Sequence, residues 1–383
     1  MPDHNTDERF LRQALDLARQ GIGLTSPNPC VGAVIVDTNG ETIGTGTHTY
    51  DGIKHAEILA LEHAREKARG ATLYINLEPC SHQGRTAPCT DAVIAAGISR
   101  VVACMQDPNP LVSGQGFAKL RSAGIDVSFG LLEEQAKALN ESFAKYIRQH
   151  LPLATLKAAM TLDGKIAPPK HPASRAEQDS ARADWITGES ARAHVQELRH
   201  QHDAILVGVG TVIADDPLLT DRSNRPRRRP LLRVILDSHL RLPLDSRVAK
   251  TAQDDVLVLC SFAEEKKKKQ LLRLGIRVEQ LPTATSDGHP EMAAIVHFLG
   301  QMEITSLMIE GGAMVNGAAL AAGIVDKVFL YYAPRILGGT ASVPFAGGAG
   351  FASISDAVCV KSIRLHRFAE DFAIEGYLKD PYA

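Results

Sequence analysis

Cysteine, aromatic side chains and an excess of charge of either sign are all scarce in this sequence. The 383 residues include 6 cysteines, too few and too scattered for the disulfide framework of a secreted protein. Aromatic residues make up 5% of the chain, and 42 basic against 44 acidic residues give a net charge of −2. The chain therefore lacks the positive field and the stacking side chains with which proteins hold nucleic acids.

Long hydrophobic runs are also missing. No uninterrupted apolar stretch approaches the roughly 20 residues that a membrane span needs. Residues 1–10, MPDHNTDERF, contain acidic and histidine side chains and no apolar segment, which argues against a signal peptide there. These absences predict a cytoplasmic protein that has neither a membrane nor a nucleic acid as its partner.

Helical and strand patterns alternate along nearly the whole chain, which is typical of α/β folds. The length predicts two domains, at roughly 100–200 residues each. We place the boundary at His150–Pro152, because a long helical pattern ends there and Pro152 cannot continue it. We expect domains at residues 1–150 and 151–383, each a mixed sheet flanked by helices.

Strand patterns predict the content of the two sheets. The first begins with a hairpin and holds Val31–Asp37, Glu41–His48, Thr72–Leu77, Arg100–Met105 and Ile125–Phe129. The second ends in an antiparallel hairpin over residues 359–378, after Leu153–Met160, Ala204–Val209, Leu231–Leu236, Val256–Leu259, Ser306–Ile309 and Val328–Tyr332.

A histidine, a glutamate and two cysteines form the most informative motif. His55-Ala56-Glu57 opens a helical pattern and is followed by Pro-Cys dipeptides at Cys80 and Cys89. His-x-Glu alone is weak evidence, since His289-Pro290-Glu291 repeats it with no cysteine pair after it. Pro-Cys is more informative, because roughly 0.3 such dipeptides are expected by chance and three occur.

One imidazole and two thiolates supply three ligands for Zn²⁺ and leave the fourth tetrahedral position for water. His55, Cys80 and Cys89 are the predicted ligands. Glu57 is the predicted catalytic residue, a carboxylate that moves protons between water, a ring nitrogen and departing ammonia. The alternative is a closed structural zinc site, for which Cys30 or His82 is available as a fourth ligand.

This motif resembles that of the cytidine deaminase superfamily, with one departure. The superfamily has Pro-Cys-x-x-Cys, whereas eight residues separate Cys80 from Cys89. The longer spacing, with Asn28 between two prolines and Gly46-x-His48 upstream, is similar to the deaminase half of the RibD family, the bifunctional enzymes of riboflavin biosynthesis. The resemblance implies that Asn28 and His48 help hold a pyrimidine. The alternative for Asn28 is a turn residue.

In the second half, Glu310-Gly311-Gly312 joins a strand pattern to a helical pattern. Free backbone N–H groups at such a helix start can cradle a phosphate. The alternative is a tight strand-to-helix turn without a ligand.

The second half also resembles the RibD reductase domain, whose fold is similar to that of dihydrofolate reductase. The motifs that carry the resemblance occur in the family's order: Lys157–Lys165, Trp185–Gly188, Thr211–Arg222, Asp237-Ser238 and Glu310–Gly312. The resemblance implies NADPH contacts at Ala159, Trp185, Thr211, Asp215, Ser238, Gly312, Ala313, Met314, Val315, Asn316, Gly317 and Ala318. It implies substrate contacts at Arg199, Leu219, Arg222 and Glu310. The alternatives are core packing for Trp185 and a solvated loop charge for Arg222.

Two surface segments need their own interpretation. Ala183 stands where the family usually has a serine that contacts the substrate, and the predicted loop Ala167–Ala183 is longer than usual. Ser180 or Arg182 could replace that contact, or the loop is simply mobile. The run 225–230, with four arginines, is predicted to be a loop, and the net charge argues against a nucleic-acid contact there.

The two halves together predict a bifunctional enzyme with one Zn²⁺ in the N-terminal domain and NADPH in the C-terminal domain. The family deaminates 2,5-diamino-6-ribosylamino-4(3H)-pyrimidinone 5′-phosphate to 5-amino-6-(5-phosphoribosylamino)uracil and then reduces the ribosyl to a ribityl side chain. The resemblance makes a homodimer or higher homo-oligomer plausible. Two alternatives are a nucleic-acid base editor, disfavoured by the composition, and a zinc-stabilised regulatory protein that binds NADPH without turnover.

Overall fold

The structure, a computed structural model, describes residues 4–83, 87–169, 185–283 and 288–383. The chain forms two compact units. The first comprises residues 1–150 together with 226–229 and Tyr382, and the second comprises the rest. Most of the predicted loop Ala167–Ala183, with Ser180, Arg182 and Ala183, lies outside the described residues.

The first unit contains a five-stranded sheet in the order β2-β1-β3-β4-β5. Its strands are β1 (Gly32–Val36), β2 (Thr42–Thr47), β3 (Thr72–Leu77), β4 (Arg100–Met105) and β5 (Asp126–Phe129). β1 is antiparallel to both neighbours, whereas β3, β4 and β5 are parallel. The sheet is therefore mixed, and the five predicted strands and the hairpin are confirmed.

The described helices of the first unit are His4–Arg19, Ala56–Ala64, Cys89–Ala95, Gln115–Ser122 and Glu133–Gln149. His4–Arg19 has no counterpart among the predicted elements, although its buried Phe10, Leu11 and Leu15 have helical spacing. The periodicity from His55 predicts one helix to Arg69, but the α-helix ends at Ala64. Arg65 has a φ of +53° and starts a short 3₁₀ segment, which ends the α-helical hydrogen bonding.

The second unit contains a nine-stranded sheet in the order β11-β10-β9-β8-β12-β6-β13-β16-β15. The strands in this unit are β6 (Leu153–Thr161), β7 (Lys165–Ala167), β8 (Ala204–Gly208), β9 (Leu232–Leu236), β10 (Val256–Cys260), β11 (Ile276–Gln280), β12 (Ser306–Ile309), β13 (Lys327–Ala333), β14 (Val343–Pro344), β15 (Lys361–Phe368) and β16 (Asp371–Tyr377). β7 and β14 form a separate pair.

From β11 to β13 the large sheet is parallel, and β16 and β15 close it with the predicted antiparallel hairpin. Strand β11 has no counterpart among the predicted strands, although its buried Ile276 and Val278 alternate with exposed residues as in a half-buried strand. Since parallel strands point the same way, the carboxyl ends of β12, β8, β9 and β10 lie along one edge, where α/β sheets bind ligands.

Helices cover the large sheet, and buried clusters lie on both of its faces. The described helices of this unit are Glu189–Gln201, Val209–Asp215, Arg247–Lys250, Glu265–Arg273, Met292–Gln301 and Ala313–Ala321. None of the described helices in either unit has the length and apolar composition to cross a bilayer. All six cysteines are free, and Cys104 and Cys260 are fully buried in strands, as small apolar residues often are.

Candidate active sites

The three predicted zinc ligands converge in the first unit. His55 directly precedes the helix Ala56–Ala64, Cys89 begins the helix Cys89–Ala95, and Cys80 follows β3. Their ligand atoms all lie within 4.8 Å of one another. The helix of His55 lies so close to β2 that a Cβ on Gly46 would come within 2.1 Å of the Ala56 carbonyl oxygen, which explains the glycine at that position.

The separations of these atoms suit one zinc ion. His55 Nδ1 lies 3.1 Å from Cys89 Sγ and 3.6 Å from Cys80 Sγ. Nitrogen and sulfur ligands at ordinary zinc distances in a tetrahedron stand about 3.6 Å apart. The Cys89 thiol, the His55 ring and the Cys89 N–H all hydrogen bond the Cys80 sulfur, and they lower the pKa of Cys80 to about 4. The site therefore already favours a thiolate, the form that binds metal.

Glu57 lies beside this cluster in the first turn of the Ala56–Ala64 helix, and its side chain is 3% exposed. Burial is the main cause that raises the pKa of Glu57, to about 7, and the charge of Cys80 adds to it. A carboxyl with such a pKa is available in both protonation states near neutral pH, as a proton carrier requires.

The alternative fourth ligands do not join the cluster. Cys30 is buried, with its sulfur 3.3 Å from Thr25 Oγ1. His82 is exposed. Among the described residues, the ligand group consists of His55, Cys80 and Cys89. A three-ligand set suits a catalytic zinc site better than a closed structural one.

Asn28 and His48 lie next to each other and close to the ligand cluster. The ring of His48 is 5.3 Å from that of His55, and Asn28 Nδ2 is 3.0 Å from His48 Nε2. His48 Nδ1 lies 2.9 Å from the Lys54 carbonyl oxygen, so that nitrogen is the N–H donor. In the neutral ring Nε2 therefore accepts from the Asn28 amide, and this bond orients Asn28.

Sequence reasoning missed the residues that hold this site together. The buried Glu78 carboxylate, just before Pro79-Cys80, accepts backbone N–H bonds from Asp107, Gly114, Gly116 and Phe117. Asn140 accepts from the Cys30 N–H at 2.8 Å and donates to the Cys30 carbonyl at 3.1 Å. Asn76 donates to the same carbonyl. These partners are far apart in sequence, so motif spacing does not reveal them.

In the second unit, the glycine turn after β12 starts the helix Ala313–Ala321. The N-cap residue, Gly312, has no side chain that could accept a hydrogen bond from the first N–H groups of the helix. These groups are therefore available to a ligand. A Cβ on Gly312 would have Thr211 Oγ1, 3.6 Å away, as its nearest neighbour. The space beside Gly312 and the N–H donors at the start of this helix fit the pyrophosphate of a dinucleotide.

Asn316 and Gly317, later in the predicted cofactor segment, contact other parts of the protein. Asn316 is buried and donates to the Phe345 carbonyl at 2.8 Å. A Cβ on Gly317 would lie 1.8 Å from the Gly347 carbonyl oxygen, so the small size of Gly317 serves helix packing. The N–H groups without an acceptor inside the helix are those of residues 313–315, at its start.

A buried charged cluster lies beside the carboxyl end of β12. The Arg199 guanidinium binds both oxygens of Glu310, at 2.9 and 3.1 Å, and Lys157 Nζ lies 3.4 Å from Glu310 Oε2. Burial raises the pKa of Glu310, but the charges of Lys157 and Arg199 outweigh it and hold this pKa at about 2. The structure thus pairs Arg199 with Glu310. It also places Lys157 in the same cluster, although sequence reasoning gave Lys157 no role.

The other predicted contacts of the second unit differ in exposure. Trp185 is 62% exposed, and the Arg192 guanidinium lies 5.1 Å from its ring, so the core-packing interpretation of Trp185 is wrong. Arg222 is exposed and Leu219 is buried. The remaining predicted contacts lie on β6, in the helix that follows β8, and after β9: Ala159, Thr211 and Asp215, and Ser238.

The arginine run contributes to the first unit. Arg228 stacks on Tyr50, 3.5 Å from the ring centre, and donates to the Ser26 carbonyl at 2.7 Å. These contacts give Arg228 a packing role within the first unit.

Comparison with known proteins finds a match for each half of the chain. Residues 4–105 match the cytidine and deoxycytidylate deaminase zinc-binding region, and residues 152–374 match the RibD C-terminal domain. Fold, site and matches together define a bifunctional enzyme with a deaminase and a reductase domain.

Full-length relatives identify the family. The riboflavin biosynthesis protein RibD of Actinobacillus pleuropneumoniae is 42% identical, over 98% of this chain and 96% of its own. The Escherichia coli (strain K12) RibD is 41% identical, over 88% and 89%. The structure of Acinetobacter baumannii RibD, form 1, has a TM-score of 0.81 at 34% identity and covers 98% of this chain and 99% of its own. The chain belongs to the RibD family of riboflavin biosynthesis enzymes.

A further solved relative has a descriptive name. The Thermotoga maritima protein, a diaminohydroxyphosphoribosylaminopyrimidine deaminase/5-amino-6-(5-phosphoribosylamino)uracil reductase, has a TM-score of 0.80 at 36% identity. It covers 98% of this chain and 99% of its own.

Proposed function

We propose that this enzyme deaminates 2,5-diamino-6-ribosylamino-4(3H)-pyrimidinone 5′-phosphate and then uses NADPH to reduce the ribosyl side chain of the product. The observation that carries the proposal is the convergence of His55, Cys80 and Cys89 beside the buried Glu57. The name of the Thermotoga maritima relative supports the choice of substrates. We assign the first reaction to residues 1–150 and the second to residues 151–383.

In the deamination, water adds to the amino-bearing ring carbon, ammonia leaves and a carbonyl remains. Zn²⁺ held by His55, Cys80 and Cys89 would supply Lewis-acid activation of that water. Glu57 takes one proton from the water and delivers it to the ring nitrogen, and it then carries the second proton, from the added hydroxyl, to the leaving amine. Asn28, oriented by His48, hydrogen bonds the pyrimidine and holds its reacting carbon beside Glu57.

In the reduction, bound NADPH would supply a hydride to C1′ of the ribose in its open-chain imine form. The start of the Ala313–Ala321 helix, with Thr211 opposite, binds the pyrophosphate, and the exposed Trp185 shields the nicotinamide. Two cations and one carboxylate give the Lys157–Arg199–Glu310 cluster a net charge of +1, which attracts an anionic substrate. The exposed Arg222 is then the group that reaches the phosphate.

We also infer a cytoplasmic location, supported by the six free cysteines. The family resemblance is the ground for proposing that the chain forms a homodimer or a higher homo-oligomer. Light scattering on the purified protein measures its mass directly, and a mass of one chain would refute self-association.

The test is NADPH oxidation by the purified protein with the diaminopyrimidine substrate. Wild type should oxidise NADPH, whereas Glu57→Ala should do so only when it receives the already deaminated pyrimidine. Glu62→Ala, in the same helix but half exposed and paired with Lys54, is the matched control and should behave as wild type. If wild type binds zinc and NADPH but oxidises nothing with either pyrimidine, the proposal fails and a regulatory role is favoured.

A further inference from the structure

The segment Pro226–Arg229 belongs to the first compact unit, although it lies within the sequence range that we assign to reduction. Its backbone is fixed there, because the Arg228 N–H donates to the Gly23 carbonyl at 2.8 Å. The next side chain also takes part, since Arg229 Nη2 lies 3.2 Å from Ser26 Oγ. The run of arginines is therefore more than a solvated loop.

The Arg228 side chain joins two turns of the first unit, each of which bears a predicted pyrimidine-binding residue. Nη1 donates to the Ser26 carbonyl at 2.7 Å, and Ser26 precedes Asn28 by two residues. The guanidinium carbon lies 3.5 Å from the centre of the Tyr50 ring, and Tyr50 follows His48 by two residues. One cationic group thus contacts both turns.

We call residues 23–28 the Asn28 turn and residues 48–53 the His48 turn. Both lie outside helices and strands, so no sheet or helix hydrogen bonding fixes their separation. The Tyr50 N–H donates to the Leu24 carbonyl at 3.0 Å, and Asn28 Nδ2 lies 3.0 Å from His48 Nε2. The Asn28–His48 hydrogen bond therefore depends on contacts that hold the two turns together.

The Arg228 contacts are partly shielded from water. The Arg228 side chain is 21% exposed, so its bond to the Ser26 carbonyl is a charge-assisted hydrogen bond in a protected place. The Asp51 carboxylate, 3.4 Å from Arg228 Nε, is 76% exposed and contributes little, as surface ion pairs generally do. The carbonyl bond and the Tyr50 stack are the contacts that matter.

We propose that Arg228 is a positioning residue of the deaminase site, which holds the Asn28 turn against the His48 turn. It acts through Asn28, whose amide hydrogen bonds the pyrimidine in the proposed function, and the inference rests on that function. Deamination then depends on a residue outside residues 1–150, in a segment that none of the deaminase motifs contains.

The experiment measures ammonia release from the diaminopyrimidine by the full-length protein without NADPH. Arg228→Ala should raise KM about 10-fold, the effect of losing one charge-assisted hydrogen bond, and leave kcat nearly unchanged. Zinc content and NADPH oxidation with the deaminated pyrimidine should equal those of wild type. Arg228→Lys keeps the charge and a donor but lacks the planar group, so its KM should lie between the two.

A double variant tests whether Arg228 acts through Asn28. Arg228→Ala combined with Asn28→Ala should lose no more kcat/KM than Asn28→Ala alone, because the positioned group is already gone. Arg225→Ala is the matched control, since Arg225 is an exposed arginine of the same run, and it should leave KM unchanged.

Three results would overturn the inference. These are a wild-type KM in Arg228→Ala, fully multiplicative losses in the double variant, and an equal loss of deamination and reduction, which indicates a general folding defect. If Arg228→Ala does not fold, a wild-type KM in Arg228→Lys contradicts the inference instead. If wild type itself releases no ammonia, the proposed function fails, so the two failures are distinguishable.

Discussion

One carboxyl at each proposed site is largely buried. Glu57 and Glu310 are both carboxyls in protected positions, but their surroundings move their pKa values in opposite directions. Burial raises that of Glu57 to about 7, whereas Lys157 and Arg199 hold that of Glu310 at about 2. The sequence predicts the importance of both residues, but their different charge states depend on neighbours that only the fold supplies.

Asn28 should matter to deamination and not to reduction. We expect Asn28→Ala to lower kcat/KM for the diaminopyrimidine about 10- to 100-fold, because a positioned hydrogen bond is lost. The NADPH oxidation rate with the deaminated pyrimidine should be unchanged. Asn39→Ala, in the exposed turn between β1 and β2, is the control. An equal loss of both activities would contradict the role given to Asn28.

Glu310 should contribute to stability in a pH-dependent way. Glu310→Gln leaves Lys157 and Arg199 without their buried counter-charge, and we expect the free energy of unfolding at pH 7 to fall by about 3–5 kcal/mol. Because the folded pKa lies below the ordinary 4.5, wild type should lose this contribution as the pH falls from about 4.5 to 2. Denaturant unfolding of both proteins across that range measures the difference.

The exposed Glu264→Gln should show no such pH-dependent difference from wild type. A constant gap between wild type and Glu310→Gln down to pH 2 would show that the pKa of Glu310 is not lowered in the folded protein.

At the scale of helices and strands, a few polar contacts between residues far apart in sequence hold the segments that carry the site of the first unit. The helix Glu133–Gln149 is distorted at Asn140, where φ is −113° and ψ is 17°. The Asn140 side chain there binds both the N–H and the carbonyl of Cys30, two residues after Asn28. Periodicity correctly predicted this helix, but no local pattern predicts that one of its asparagines binds a segment 110 residues away.

Asn140→Ala should loosen that segment. The Cys30 N–H loses its buried partner, so we expect a loss of about 1–3 kcal/mol in the free energy of unfolding. Zinc content should remain at one ion per chain, while KM for the diaminopyrimidine rises more than kcat falls. Gln149→Ala, exposed at the end of the same helix, is the control. Normal kinetics in a destabilised Asn140→Ala protein would limit this residue to a structural role.

At the scale of the whole molecule, alternating patterns were enough to predict two mixed sheets, since buried parallel strands are short apolar runs between helices. They did not give the order of the strands, because β12, late in the sequence, inserts between β8 and β6. The first helix was missed for a related reason. Its charged residues dominate the N-terminal composition, which hid the helical spacing of its apolar residues.

Separate cores in the two units predict a selective response to metal removal. Treatment with a zinc chelator should abolish deamination, leave NADPH oxidation with the deaminated pyrimidine intact, and lower the melting temperature of one calorimetric transition. Added Zn²⁺ should restore both properties. Loss of the reductase activity on chelation would show that the metal supports more than the first unit.

The exposed position of Trp185 has a practical consequence. It is the sole tryptophan of the chain, so the indole emission of the whole protein comes from one known place. A 62% exposed indole emits at long wavelength, and a dinucleotide covering it would shift and quench that emission. If the dinucleotide binds beside Trp185 as proposed, this emission is an intrinsic optical probe that measures cofactor binding to the reductase domain in real time without a label.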